Sequence, residues 1–157
     1  MAYKLFPFHN VHAAVGRNGV NRGDDVRLVQ GLLDLSFGMR SLPEVQIVCK
    51  DLGGPIPKRK ITVDGIYTDD IAAYIEMMQR TGRKKGKAYI VDGKASHVPH
   101  ENGWFDLETR TGTGADYILV SMNATAIARN ANGYLALGEK IGTHFMLGTL
   151  SGEIITV

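Results

Sequence analysis

Apolar positions recur at helical spacing in three stretches of this chain, and polar, glycine-rich segments separate them. In "DDVRLVQGLLDLSF" (24–37), Val26, Val29, Leu33 and Phe37 fall on one face, and Leu28, Leu32 and Leu35 widen it. The spacing predicts an amphipathic helix started by Asp24 or Asp25, weakened by Gly31 and ended by Gly38. A second helix is predicted over 71–80, capped from Thr68, Asp69 or Asp70, with Ile71, Tyr74 or Ile75, and Met78 inward and Gly82 beyond its end. A third is predicted over 115–130, burying Ile118, Leu119, Met122, Ala126 and Ile127, and "NANG" is read as its stop.

The segments between helices are read from turn residues and apolar runs. Leu5, Phe6, Phe8, Val11 and Val15 around Pro7 predict an extended N-terminal arm that packs, followed by the turn-rich loop "GRNGVNRG". Residues 39–62 read as a long connector containing a short strand at "VQIVC" (45–49), and "AYIV" (88–91) reads as another strand. A second long loop covers 94–114, and the tail predicts a β-hairpin about Ser151-Gly152. No linker splits the chain, so one domain is expected over 1–157: an arm (1–15), a helical core (16–130) and a C-terminal extension (131–157).

Composition narrows this picture only slightly. A chain of 157 residues can bury a real core, and 44% apolar with 22% charged residues is an ordinary globular balance. A formal net charge of +2 points neither to nucleic acid nor to a membrane surface. The lone Cys49 excludes an internal disulfide and a cysteine-based zinc site. The N-terminus lacks the basic and apolar regions of a secretory leader, and no run approaches the ~18 apolar residues of a membrane span, so synthesis in the cytoplasm without a signal peptide is expected.

The triplet Val-Asp-Gly occurs twice, at 63–65 and 91–93, and hints at a degenerate internal repeat. In such a turn the Asp side chain can bond its own backbone while Gly supplies a positive φ; alternatively, Asp64 and Asp92 form a polar lip for a ligand. Taken in order, "GVNRGDDVRLVQGLLD" and "VDGIYTDDIAAYIEMMQR" resemble the peptidoglycan-binding-domain-like family. Asp25, Val26, Val29, Gln30 and Leu33 match its first helix, Asp64, Gly65, Ile66 and Tyr67 its turn, and Ala73, Ile75 and Gln79 its second helix. The chain departs from the pattern at Thr68, Ile71 and Met78, where the family has a glycine, a threonine and an aromatic.

The resemblance implies a mainly α fold: a three-helix core, here with long loop insertions and a small C-terminal hairpin. It also implies a shallow groove near the turn that holds glycan or stem peptide. The candidate ligand-binding residues are Asp64, Gly65, Tyr67, Tyr74, Gln30, Gln79, Asp92 and Trp104. Tyr67, Tyr74 and Trp104 can stack on sugar faces or pack in the core, and Trp104 in "HENGWFD" is the best exposed aromatic. Gln30 and Gln79 either face the groove or bridge helices and loops.

His97 and His100, with Glu101 and Asp106, are weak metal candidates, because two histidines three apart across a proline are not a helical ligand pair. His9 and His12 form another loose pair, and Cys49 lies in an apolar run. No nucleophile–base or metalloprotease pattern occurs, so neither an enzyme, a metal nor a cofactor is expected, a wall hydrolase being the catalytic alternative. Lys58, Arg59 and Lys60, and Arg80, Arg83, Lys84, Lys85 and Lys87, form two basic clusters read as solvated surface, without the interleaved aromatics of a nucleic-acid site.

The expectation is therefore a non-catalytic peptidoglycan-binding module acting at the wall or periplasm, or within a phage-like or contractile secretion machine. The alternative is a structural or adaptor protein of such an assembly that keeps the fold without binding wall. Its partner is then another protein of the assembly.

Overall fold

The computed structural model describes residues 6–99, 117–141 and 145–148. Among these the protein is mainly α, with five helices and two short antiparallel strand pairs. In chain order they are β1 (Phe6–His9), β2 (Val15–Gly16), α1 (Gly23–Phe37), α2 (Leu42–Leu52), α3 (Asp69–Lys84), β3 (Lys94–Ala95), α4 (Ile118–Arg129), α5 (Ala131–Ile141) and β4 (Phe145–Gly148). Strand β1 pairs with β4, Phe6 opposite Gly148 and His9 opposite Phe145, so segments from the two ends of the chain lie side by side. Strand β2 pairs with β3, Val15 opposite Ala95.

Helices α1, α3 and α4 form where apolar spacing predicts them. Val26, Leu28, Val29, Leu32 and Leu33 of α1 are buried with Ile71, Tyr74 and Ile75 of α3 and Ile118, Leu119, Met122, Ala126 and Ile127 of α4. Phe8, Val11 and Val15 of the arm join the same core. No described helix is long and apolar enough to cross a membrane.

Several expectations are corrected. Residues 45–49 are not a strand but part of α2. Ser41 and Glu44 form a reciprocal capping box there, Pro43 sits in the first turn, and Gly53 closes the helix with a φ of 75°. Residues 88–91 form no strand. The second predicted helix runs on to Lys84, so Gly82 lies inside it, where an added Cβ would stand 2.1 Å from the Tyr89 ring. Gly38 ends α1 in an ordinary right-handed conformation, its N–H donating to the Asp34 carbonyl.

"NANG" ends α4 at Arg129 as expected, but a further helix follows at once. The motif turns the chain between α4 and α5, and the Asn130 side chain accepts the Gly133 N–H at 2.9 Å to open α5. Helix α5 crosses α1 through two glycine–leucine contacts. A Cβ on Gly31 would meet Leu137 at 2.5 Å, and one on Gly133 would meet Leu35 at 2.7 Å. Gly31, costly to an isolated helix, is thus where a second helix approaches closely. The predicted hairpin about Ser151-Gly152, and residues 115–116 of the third predicted helix, lie outside the described residues.

Candidate functional site

The two Asp-Gly turns are held in the same way. On α1, the Gln30 amide oxygen accepts the Asp64 and Gly65 N–H groups at 3.0 and 2.8 Å. Its nitrogen donates to Asp64 Oδ1 at 2.8 Å and to the Ile66 carbonyl at 3.1 Å. On α3, Gln79 repeats each bond, accepting from Asp92 and Gly93 and donating to Asp92 Oδ1 and the Lys94 carbonyl. Each aspartate also accepts the N–H two residues on, from Ile66 in one turn and Lys94 in the other. Gly65 and Gly93 have φ of 77° and 66°, a conformation that favours glycine. The internal repeat is therefore a structural unit: a helix glutamine gripping a following Asp-Gly turn, with different lengths of chain between them.

This geometry fixes what the candidate ligand residues do. Gln30, Gln79 and Tyr74 are buried, and Tyr67 is half-buried against the core. Asp64 is exposed, with its carboxyl held below the usual range first by the Ile66 N–H and then by the Gln30 amide. Asp92 is half-buried in the second turn, and Gly65 in the first. Trp104 and His100 lie outside the described residues, as do Glu101 and Asp106.

His97 is exposed, with Nδ1 2.6 Å from the Val11 carbonyl. Cys49 is buried on α2, and burial pushes its thiol up. Among the described residues, ligand-type atoms of His12, Asp24 and Asp25 lie within 4.8 Å of one another. The Asp25 carboxylate already accepts the His12 and Ala13 N–H groups at 2.9 and 3.1 Å, fastening the arm to the start of α1.

Beside the first turn, residues 55–73 enclose a surface groove at the start of α3. One part, of about 370 Å³, is lined by Ile56, Lys58, Arg59, Thr68, Asp69 and Asp70. A smaller recess of about 80 Å³ continues from Arg59, Thr68 and Asp70 to Gln30, Asp64 and Ile66. Its wall is fixed by the Lys58 N–H donating to Asp70 Oδ1 at 2.7 Å and by Gln46 donating to the Pro57 carbonyl at 2.9 Å. The family resemblance implies a groove near this turn, and Gln30 and Asp64 do line the recess, but Ile56, Lys58 and Arg59 come from a connector that was not assigned to it.

Behind α3, Glu76 joins the parts of the site. Its side chain is 6% exposed and accepts from Arg17 Nη1 and Arg80 Nε, each at 2.8 Å. Arg17 also donates to the Asp92 carbonyl, and Arg80 to the Leu52 carbonyl at the end of α2. Burial pushes the Glu76 carboxyl up, but the bonds from Arg17 and Arg80 outweigh it and hold the group below its ordinary value. A depressed carboxylate contributes stability that is present above its unfolded pKa of about 4.3 and lost as pH falls through the folded value. Urea midpoints measured from neutral pH to about pH 3 should fall less steeply with acid for Glu76→Gln than for the parent. Equal slopes would mean that the pair of arginines contributes nothing.

Compared with family models, curated proteins and solved structures, the chain matches none.

Proposed function

We propose that this protein is a non-catalytic peptidoglycan-binding module built on a three-helix core of α1, α3 and α4, and that it works at the wall as part of a phage-like or contractile secretion machine. The observation that carries this reading is the groove at the start of α3, directly against the clasped first turn. Lys58 and Arg59 on one side and Asp69 and Asp70 on the other suit a stem peptide, which carries both carboxylates and amines. Ile56 and Ile66, exposed at the groove, offer apolar contact to a sugar or peptide backbone.

Sedimentation with insoluble peptidoglycan tests it. The intact protein should pellet with the wall, and Arg59→Ala and Ile66→Ser should each weaken pelleting severalfold at unchanged thermal stability. A protein that stays in the supernatant across salt and pH overturns the reading. Asp64→Ala is a poor probe, because it removes the acceptor that shapes the turn.

A structural or adaptor role is the second reading. It is favoured by apolar side chains left on the surface, including Met39 (100% exposed), Val20 (70%) and Ile47 (61%), which suit contact with neighbouring subunits.

A further inference from the structure

We infer that the cleft between the C-terminal half of α3 and α4 is a binding site for a small anionic amphiphile, of the class of medium-chain carboxylates. It is independent of the wall-binding reading, since it shares no lining residue with the groove at the start of α3.

The cleft has a volume of about 340 Å³, within the roughly 300–1,000 Å³ range of small-molecule sites. Its floor is apolar: Phe37, Val48, Met77, Met78 and Ile118, contributed by four different helices. The two methionines can adjust to a flexible hydrocarbon. Thr81, Ser121 and Thr125 place hydroxyls along the wall, with the Ser121 hydroxyl bonded to that of Tyr89.

Charge selects the kind of ligand. Arg40, Lys85, Lys87 and Arg129 all line the cleft, and no carboxylate does among the described residues. None of these four side chains forms an ion pair with a described residue, whereas Arg17, Arg22 and Arg80 do. Helix C-termini favour nearby cations on their own, which accounts in part for Lys85 and Arg129. It does not account for Phe37, Val48 and Met78 being left only half-buried beneath them, or for cations arriving from α4, the turn after α1 and the loop after α3 at one cleft. Arg40 lies 6.0 Å from the Phe37 ring centroid, but a neutral apolar ligand brings Lys85, Lys87 and Arg129 no anion. A polar anion leaves the floor exposed to water. An apolar body with one anionic head satisfies both.

The test is calorimetric titration of the full-length protein with decanoate and with 1-decanol, alongside methyl NMR of the methionines. Decanoate should bind saturably and move the Met77 and Met78 methyl signals, and 1-decanol should bind about tenfold or more weakly, the loss expected for one charge-assisted contact. Arg40→Gln combined with Lys87→Gln changes only peripheral charge and should weaken decanoate about tenfold while leaving 1-decanol unaffected. Thr125→Trp, which fills the cleft, should abolish binding. Equal binding of decanoate and 1-decanol, unchanged decanoate affinity in the double variant, or no binding of decanoate by about 1 mM would each overturn the assignment.

Discussion

Asn123→Leu should destabilise the protein by about 2–6 kcal/mol, at roughly 1–3 kcal/mol for each of the two buried backbone groups that lose its hydrogen bond. Asn123 is fully buried on α4, and its side chain completes a strand-like pair with one residue of β1: Oδ1 accepts the His9 N–H and Nδ2 donates to the His9 carbonyl, both at 3.0 Å. The amide nitrogen also reaches the Leu119 carbonyl one turn back, and the Tyr134 hydroxyl donates to Oδ1. Leucine has similar bulk but no donor or acceptor, so the buried His9 N–H and carbonyl would each lose this hydrogen bond. At about 2–4 °C per kcal/mol for a chain of this size, the melting temperature should fall by roughly 4–24 °C. Tyr134→Phe removes one hydroxyl from the same cluster and should cost only about 0.5–1.5 kcal/mol. A loss under 1 °C for Asn123→Leu would show that water or a backbone shift replaces the pairing.

The same device recurs at the next residue. Asn10 grips the Val98 backbone in the way Asn123 grips His9, accepting its N–H at 3.1 Å and donating to its carbonyl at 2.8 Å. With Gln30 and Gln79, four buried amides each satisfy both a backbone donor and a backbone acceptor of a neighbouring segment. Only part of this was legible in the sequence. The Asp-Gly turns announced themselves, and bridging was one of the two roles open to the glutamines. Asn123 carried a subtler sign: it shares a helix face with Leu119 and Ala126, where a polar residue must find a partner. Asn10 carried none, because its partner lies 88 residues away.

Helices were legible where large apolar residues recur at helical spacing. Large apolar side chains recur at period 3.6 in α1, α3 and α4, and those elements stand where spacing placed them, although burial wraps round α1 at residues 28–33 and round α3 at residues 71–77. Helix α2 was missed because Val45, Ile47 and Val48 look strand-like, while its caps, Ser41, Glu44 and Gly53, outweigh that local preference. Helix α5 was missed because Gly133 reads as a breaker, yet its missing side chain is what lets Leu35 of α1 seat against it. The connector side of the groove was invisible for a related reason, since connector residues reveal a surface only once the neighbouring helix fixes where they run.

Gln30→Glu should destabilise the protein by about 2–4 kcal/mol at neutral pH and should reverse the local dependence on acid. In the parent, Gln30 Nε2 donates to Asp64 Oδ1 and to the Ile66 carbonyl, and Asp64 is held below its usual range partly by that amide. Stability from Asp64 is thus present above the unfolded aspartate pKa of about 3.9 and lost as pH falls through the lower folded value. A glutamate at this position sets an oxygen where the donor was, facing Asp64 Oδ1 across about 2.8 Å. Two carboxylates that close cannot both ionise without strong repulsion, so the pair's folded titration moves up. A raised carboxyl contributes stability fully present below the unfolded pKa and lost as pH rises through the folded one. Chemical denaturation of Gln30→Glu should therefore show recovery toward the parent as pH drops below about 5, over the interval where the parent weakens. Adding Asp64→Asn restores a donor opposite the new carboxylate and should remove most of the deficit at neutral pH. Gln79→Glu should repeat the effect at the second turn, because its bonds match those of Gln30 one for one. A pH-independent loss in Gln30→Glu would mean that the turn swings away from α1 and solvates both carboxylates, so that the first clasp is not what fixes the turn beside the groove.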